Sequence, residues 1–150
     1  MKQLTGSATG TTAATPEQAF ALLEAIDGYP TWYPEVIKEA EVLERDTQGR
    51  PTRARTKLHV ERGPLTRDFN LRMSVTEDPI IMIKLSRIPN EPSDDERFDV
   101  TWRVEAGQPT RIRLDLLADL SVPRMVPLGG VGDALAQGMV SAATRALASS

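Results

Sequence analysis

Apolar positions recur at helical spacing over residues 19–26 and predict a short helix near the N-terminus. Thr15 is suited to cap this helix, Pro16 fits its first position, and Gln18 stands where a capping box needs it. The apolar positions of the predicted helix are Ala19, Phe20, Leu22, Leu23 and Ile26. Gly28 is suited to end the helix in a left-handed conformation. Prolines at 30 and 34 allow at most one further turn.

Between residues 36 and 120, apolar and polar residues alternate in several runs, which predicts antiparallel strands joined by short polar turns. The clearest run has Phe69, Leu71, Met73 and Val75 separated by polar side chains. A strand with weaker alternation is predicted before the helix, in a segment rich in small and hydroxylated residues. The predicted strands cover residues 3–13, 36–45, 50–61, 69–75, 80–88, 97–104 and 111–120.

One face of the predicted sheet is apolar and must be covered. The last segment, from about residue 127 to residue 148, is permissive for helix and combines apolar residues with many alanines. Its glycines lower helix propensity, but they also allow close approach or leave room beside the helix. They are Gly129, Gly130, Gly132 and Gly138. The order of elements predicts an α+β fold in a single domain, residues 1–150.

Composition excludes several kinds of chemistry. The chain has 150 residues, no Cys and one His, so a disulfide framework, a thiolate nucleophile, a zinc site of cysteines and a His-rich metal site are ruled out within one chain. Its 18 basic and 21 acidic residues give a net charge of -3, which argues against a binder of nucleic acid. We therefore predict no metal, no cofactor and no nucleic-acid partner.

The sequence also gives an expectation for the cellular setting. No apolar core of signal-peptide length follows Met1, and no window approaches the length needed to span a bilayer. We expect a soluble cytoplasmic protein without stable membrane insertion. Edge strands of such a sheet often need cover, so both a monomer and a homodimer are compatible with the sequence.

Four groups of residues resemble a known family. They are Thr-Pro-Glu at 15–17 with Phe20, Tyr-Pro-Thr-Trp-Tyr-Pro at 29–34, Asp-Glu-Arg-Phe at 95–98 leading to Thr-Trp at 101–102, and Val-Pro-Arg at 122–124 with Pro-Leu at 127–128. With this pattern the chain resembles the START-like (SRPBCC) superfamily, in its polyketide cyclase/dehydrase or coenzyme-Q-binding-like branch. The Tyr-Pro-Thr-Trp-Tyr-Pro stretch is the most specific part of the likeness.

The resemblance implies a helix-grip fold. In that fold a curved antiparallel sheet of about seven strands wraps a long C-terminal helix, with one or two short helices after the first strand. It also implies a cavity between sheet and helix that holds lipids, sterols, quinones or polyketides. A few proteins of this kind are aromatase/cyclases, which place Arg, Tyr and Ser groups inside the cavity.

The candidate ligand-binding residues are those expected to face that cavity. They are Trp32, Tyr33, Leu58, Val60, Phe69, Leu71, Met73, Phe98, Val100, Trp102, Leu114, Leu116, Leu135 and Met139. The inward rows are almost entirely apolar, which favours a binding or carrier protein for a small hydrophobic molecule. Interior polar candidates are few: Tyr29, Tyr33, Thr56, Ser86 and Ser141.

Two alternative functions stay open. A polyketide aromatase/cyclase or dehydratase needs acids inside the cavity, and Tyr29 and Tyr33 are the weak catalytic candidates for that role. An interaction module for a larger partner is the second alternative. Trp32 and Tyr33 suit either a cavity mouth or a plug under the last helix. Trp102 is expected to be buried, as core or as cavity wall.

Other conspicuous residues receive structural interpretations. His59 is expected on the charged outer face beside Lys57 and Glu61. The acidic cluster of Glu91 and residues 94–96 could bind a hard cation, but a solvated loop is the simpler explanation. The glycines at 129–132 resemble a phosphate loop only superficially, because the Lys-Ser/Thr of a P-loop is missing.

Overall fold

The computed structural model describes residues 1–123 and 125–149. Its elements are β1 (Lys2–Thr12), α1 (Pro16–Glu24), a single 3-10 turn (Ile26–Gly28), α2 (Tyr29–Trp32), β2 (Ile37–Arg45), β3 (Pro51–Arg62), β4 (Leu65–Asp78), β5 (Met82–Arg87), β6 (Arg97–Glu105), β7 (Thr110–Leu120) and α3 (Val131–Ala148). The seven strands form one antiparallel sheet in the order β1-β7-β6-β5-β4-β3-β2. The predicted α+β helix-grip architecture is confirmed.

The start of α1 follows the predicted capping box. The Thr15 hydroxyl accepts a hydrogen bond from the Gln18 backbone N–H at 3.1 Å, and the Gln18 side chain accepts one from the Thr15 N–H at 2.9 Å. The predicted left-handed end at Gly28 is wrong, since Gly28 has a φ of -87°. α1 instead ends at Glu24, Ala25 leaves the helical region with a ψ of 71°, and the chain continues through the 3-10 turn into α2.

The β4–β5 connection differs from the prediction. Residues 77 and 78 belong to β4, whereas Ile80 and Ile81, predicted to begin a strand, lie in the turn. Ile80 adopts a φ of 70°, and the two isoleucines are 41% and 56% exposed. The prediction failed because it assumed that an apolar run is buried. Pro79 has no N–H to donate to a ladder, so the turn forms around it.

The last helix packs across β1 and β7. A contact between two glycine backbones sets how close it comes, because a Cβ on Gly132 would lie 2.0 Å from the carbonyl oxygen of Thr5, and one on Gly6 would lie 2.1 Å from the backbone of Gly132. The Ser7 N–H also donates to the Asp133 carboxylate at 3.0 Å. The expectation that glycines allow a close approach of this helix therefore holds at Gly132.

The core lies between the sheet and α3. Register places Trp102 of β6 opposite Ile83 of β5 and Leu114 of β7, and all three side chains are buried. The buried side of α3 includes Val131, Leu135, Ala136, Val140 and Leu147. Across residues 1–123 and 125–149, none of the helices has the length and apolar character needed to cross a membrane.

Candidate ligand cavity

A small cavity lies between the concave face of the sheet and the helices. Its volume is about 80 Å³. Because side chains alternate between the two faces of a strand, every second side chain in parts of β3, β4, β6 and β7 points into the cavity. The lining residues are Tyr29, Tyr33, Val36, Ile37, Thr56, Leu58, Val60, Leu71, Met73, Leu85, Phe98, Val100, Leu114, Leu116, Leu135, Ala136 and Met139.

Most of the candidate ligand-binding residues come together at this cavity. Those that line it are Tyr33, Leu58, Val60, Leu71, Met73, Phe98, Val100, Leu114, Leu116, Leu135 and Met139. The lining also contains residues not proposed from the sequence as ligand contacts: Tyr29, Val36, Ile37, Thr56, Leu85 and Ala136. Period-two alternation could have placed Leu85 there, but nothing in the sequence shows that Val36, just before β2, and Ile37, its first residue, both turn inward.

Three candidates lie outside the lining, for different reasons. Trp102 is completely buried, so it is core rather than cavity wall. Trp32 is half-buried and packs against the ring of Tyr29, with centroids 5.0 Å apart. Phe69 packs against Phe98 at 5.4 Å, and the guanidinium of Arg67 covers its ring. Ser86 and Ser141, the other interior polar candidates, are also absent from the lining.

Among the described residues, the polar groups of the lining are three hydroxyls, and no charged side chain contributes. The Thr56 hydroxyl faces the Met73 sulfur at 3.9 Å. The Tyr29 hydroxyl donates to the carbonyl oxygen of Leu23. Its pKa is raised, mainly by burial, with a smaller opposing effect from Trp102. Tyr29 therefore keeps its proton at neutral pH, and that proton is used in the hydrogen bond to the backbone of α1.

Tyr33 differs from Tyr29 in one important respect. Its side chain is 3% exposed, and its hydroxyl makes no well-formed hydrogen bond within the described chain, the nearby polar group being Arg62. Burial raises its pKa, and the neighbouring Arg62 partly counteracts that effect. The hydroxyl fits because Gly138 of α3 lacks a side chain: a Cβ there would lie 2.4 Å from the Tyr33 oxygen and 3.8 Å from Arg62 Nη2. The ring of Tyr33 thus lines the cavity, while its hydroxyl is buried against Gly138 of α3 and beside Arg62.

His59 and two residues of the acidic cluster, Asp94 and Glu96, form ion pairs, of which the Arg87–Asp94 pair is mostly buried. His59 lies on the outer face between Asp68 and Glu61, and hydrogen bonds to these carboxylates raise its pKa. Arg67 binds both oxygens of Glu96, at 2.8 and 2.9 Å. Arg87 pairs with Asp94. In the part of the chain that the structure describes, no group of three metal-ligating residues forms.

A curved antiparallel sheet that grips a C-terminal helix over an apolar cavity defines the class of helix-grip proteins. The sequence pattern described as "Polyketide cyclase / dehydrase and lipid transport" matches residues 12–148. The chain belongs to that family, as the resemblance implied.

Solved structures share the fold at low identity. A START superfamily protein from Mycobacterium smegmatis has a TM-score of 0.76 and 19% identity, covering 97% of each chain. The Zhui aromatase/cyclase from Streptomyces sp. R1128 has a TM-score of 0.53 and 17% identity, over 99% of this chain and 88% of that one. The di-domain aromatase/cyclase StfQ of the steffimycin pathway matches over 95% of this chain and 50% of its own, at 12% identity and a TM-score of 0.67. No curated protein matches the chain in sequence.

Proposed function

We propose that this protein binds a small, mainly apolar molecule between its sheet and α3, as a carrier or binding protein. The observation that carries the proposal is a cavity lined by apolar surface, with the buried hydroxyl of Tyr33 close behind one wall. Apolar burial would supply most of the affinity, and the hydroxyl would orient a ligand oxygen. The ligand class is a lipid, a quinone or a polyketide-like molecule, and the family's description names lipid transport and polyketide chemistry.

The size of the cavity adds a condition to this proposal. A cavity of about 150 Å³ holds benzene, whereas this one measures about 80 Å³. A larger ligand therefore requires side chains to move aside. Met73 and Met139 both line the cavity, and methionine is unbranched and changes rotamer easily. Ligand binding would thus enlarge the cavity by rearranging these two side chains.

Binding can be tested with three probes: decanoate, menadione and emodin. Native mass spectrometry and the intrinsic tryptophan fluorescence would report occupancy. Met139→Trp fills the cavity and should weaken binding at least tenfold. Gln137→Trp adds the same side chain on the exposed side of α3 and serves as the matched control. Absence of binding by all three probes, or equal affinity in the two variants, would contradict the proposal.

A catalytic function is the second candidate, favoured by Arg62 beside the Tyr33 hydroxyl. Such a pair could polarise a carbonyl of a polyketide-like chain, with Tyr33 donating the hydrogen bond. The similar folds of two aromatase/cyclases are consistent with this role. Turnover of a polyketide substrate that is lost in Tyr33→Phe and kept in Tyr29→Phe would support it. Unchanged product profiles in both variants would exclude tyrosine acid catalysis.

A further inference from the structure

Two glutamates from different elements meet beside the C-terminal end of α1. Glu24 is the last residue of α1, and Glu77 lies near the end of β4. Their side chains are 31% and 5% exposed, respectively. Neither residue lines the ligand cavity. The pair was not singled out from the sequence, because 53 positions separate the two residues.

The hydrogen bonding of the pair is incomplete as long as both groups are ionised. The Oε2 atoms of Glu24 and Glu77 are both buried, and neither has a hydrogen-bond partner within the described residues. Both carboxyl groups lie within 4 Å of the same nitrogen atom, Arg50 Nη1, so they are close neighbours. Ionised carboxylates only accept hydrogen bonds, so they leave each other unsatisfied. One proton turns one of them into a donor and completes the pair.

Arg50 is the cation that faces this pair. Its Nη1 atom lies 3.6 Å from Glu24 Oε2 and 3.3 Å from Glu77 Oε1. Tyr29 of α2 is the other titratable group that senses the charge of Glu77. A single guanidinium offsets one of two negative charges, so two ionised carboxylates would leave one charge uncompensated. Burial, together with Glu24, raises the pKa of Glu77 to about 7, and Arg50 opposes this shift.

We propose that Glu24 and Glu77 share one proton, that this shared proton fastens the end of α1 to β4, and that its loss releases α1. Two neighbouring negative charges repel each other, and the nearly buried Glu77 is little screened by water, so deprotonation favours separation of the two elements. The effect can reach the ligand cavity through a single hydrogen bond. Tyr29, which lines the cavity, donates to the carbonyl of Leu23, the residue before Glu24.

Proton sharing can be tested directly on the full chain by ¹³C NMR titration of the glutamate side-chain carboxyl carbons. The expected result is one carboxyl that titrates near neutrality, and its disappearance in Glu77→Gln. Glu17→Gln, an exposed glutamate on the same helix, is the matched control and should leave that titration in place. If Glu24 and Glu77 both titrate as ordinary glutamates do, the proposal is overturned.

Release of α1 requires a second measurement. Between pH 4.5, the ordinary pKa of a glutamate, and about pH 7, the native protein keeps a proton on Glu77 that the unfolded chain has lost. The unfolding equilibrium constant should therefore rise by up to about tenfold per pH unit from about 4.5 to about 7, and this increment should vanish in Glu77→Gln. Exchange protection of the Ala25 amide, which bonds to the Ala21 carbonyl, should fall over the same range in the wild type alone. Equal pH dependence of protection in the wild type and Glu77→Gln would refute the release.

Discussion

The hydroxyl of Tyr33 occupies the space that a side chain at position 138 would need. A Cβ on Gly138 would lie 2.4 Å from the Tyr33 oxygen, well inside van der Waals contact. The glycine therefore has a structural purpose although it lowers helix propensity by about 1 kcal/mol. The position of the Tyr33 hydroxyl depends on a missing side chain in the opposing helix.

Gly138→Ala should displace Tyr33 at an overpacking cost of about 1–3 kcal/mol, of which about 1 kcal/mol is offset by the better helix propensity of alanine. Tyr33→Phe removes the oxygen that the new methyl group would strike. The double variant Gly138→Ala/Tyr33→Phe should therefore lose less stability than the sum of the two single changes. Urea unfolding of the four proteins measures this coupling, and strictly additive effects would contradict the contact.

Gly132→Ala should be more damaging than Gly138→Ala. The atom it would strike, the carbonyl oxygen of Thr5 at 2.0 Å, belongs to the backbone and cannot rotate away. We expect a loss of about 3 kcal/mol or more, or failure to fold. Gly129→Ala is the control, since no atom lies within 4 Å of its Cβ position. Similar stability of the two variants in thermal unfolding would argue against the close contact between α3 and β1.

Trp102→Ala should cost about 3–5 kcal/mol, because the side chain is 0% exposed and packed within the core. Trp32→Ala should cost less, since Trp32 is only half-buried. Chemical denaturation provides both values. A loss at position 102 no greater than that at position 32 would mean that Trp102 borders open space instead.

Asp94 should make the protein sensitive to acid. The Arg87 guanidinium lowers the pKa of Asp94 to about 2, below its unfolded value. The stabilisation is therefore present above about pH 4 and is lost as the pH falls towards 2. Asp94→Asn should flatten this part of a stability curve measured from pH 5 to pH 1.5. Asp95→Asn, at an exposed neighbouring position, should follow the wild type closely.

Periodicity carries information about strands and helices, and much of the fold could be predicted from it. The runs around Phe69 and Phe98 gave strands β4 and β6, and Thr15 with Gln18 gave the start of α1. Local pattern fails where a turn overrides hydropathy, as at Ile80. It also cannot bring together residues that are distant in sequence.

In the candidate site, too, local sequence pattern predicted some features and missed others. Alternation selected most of the inward row, because a strand's side chains alternate between two faces. It did not distinguish Trp102, which is completely buried in the core, from Val100 on the same face of β6, which lines the cavity. The meeting of Glu24 with Glu77 depends on how α1 is laid against the end of β4. That placement is a tertiary property with no local sequence signature.

The contact between Gly6 and Gly132 has a mechanical consequence for any enlargement of the cavity. The two backbones are in direct contact there. The first turn of α3 can therefore neither slide along β1 nor rotate against it unless the helix and the strand move apart. This end of the helix is a fixed pivot. Any volume beyond what Met73 and Met139 free by changing rotamer must come from movement of the rest of α3 or of the wall that contains Tyr29.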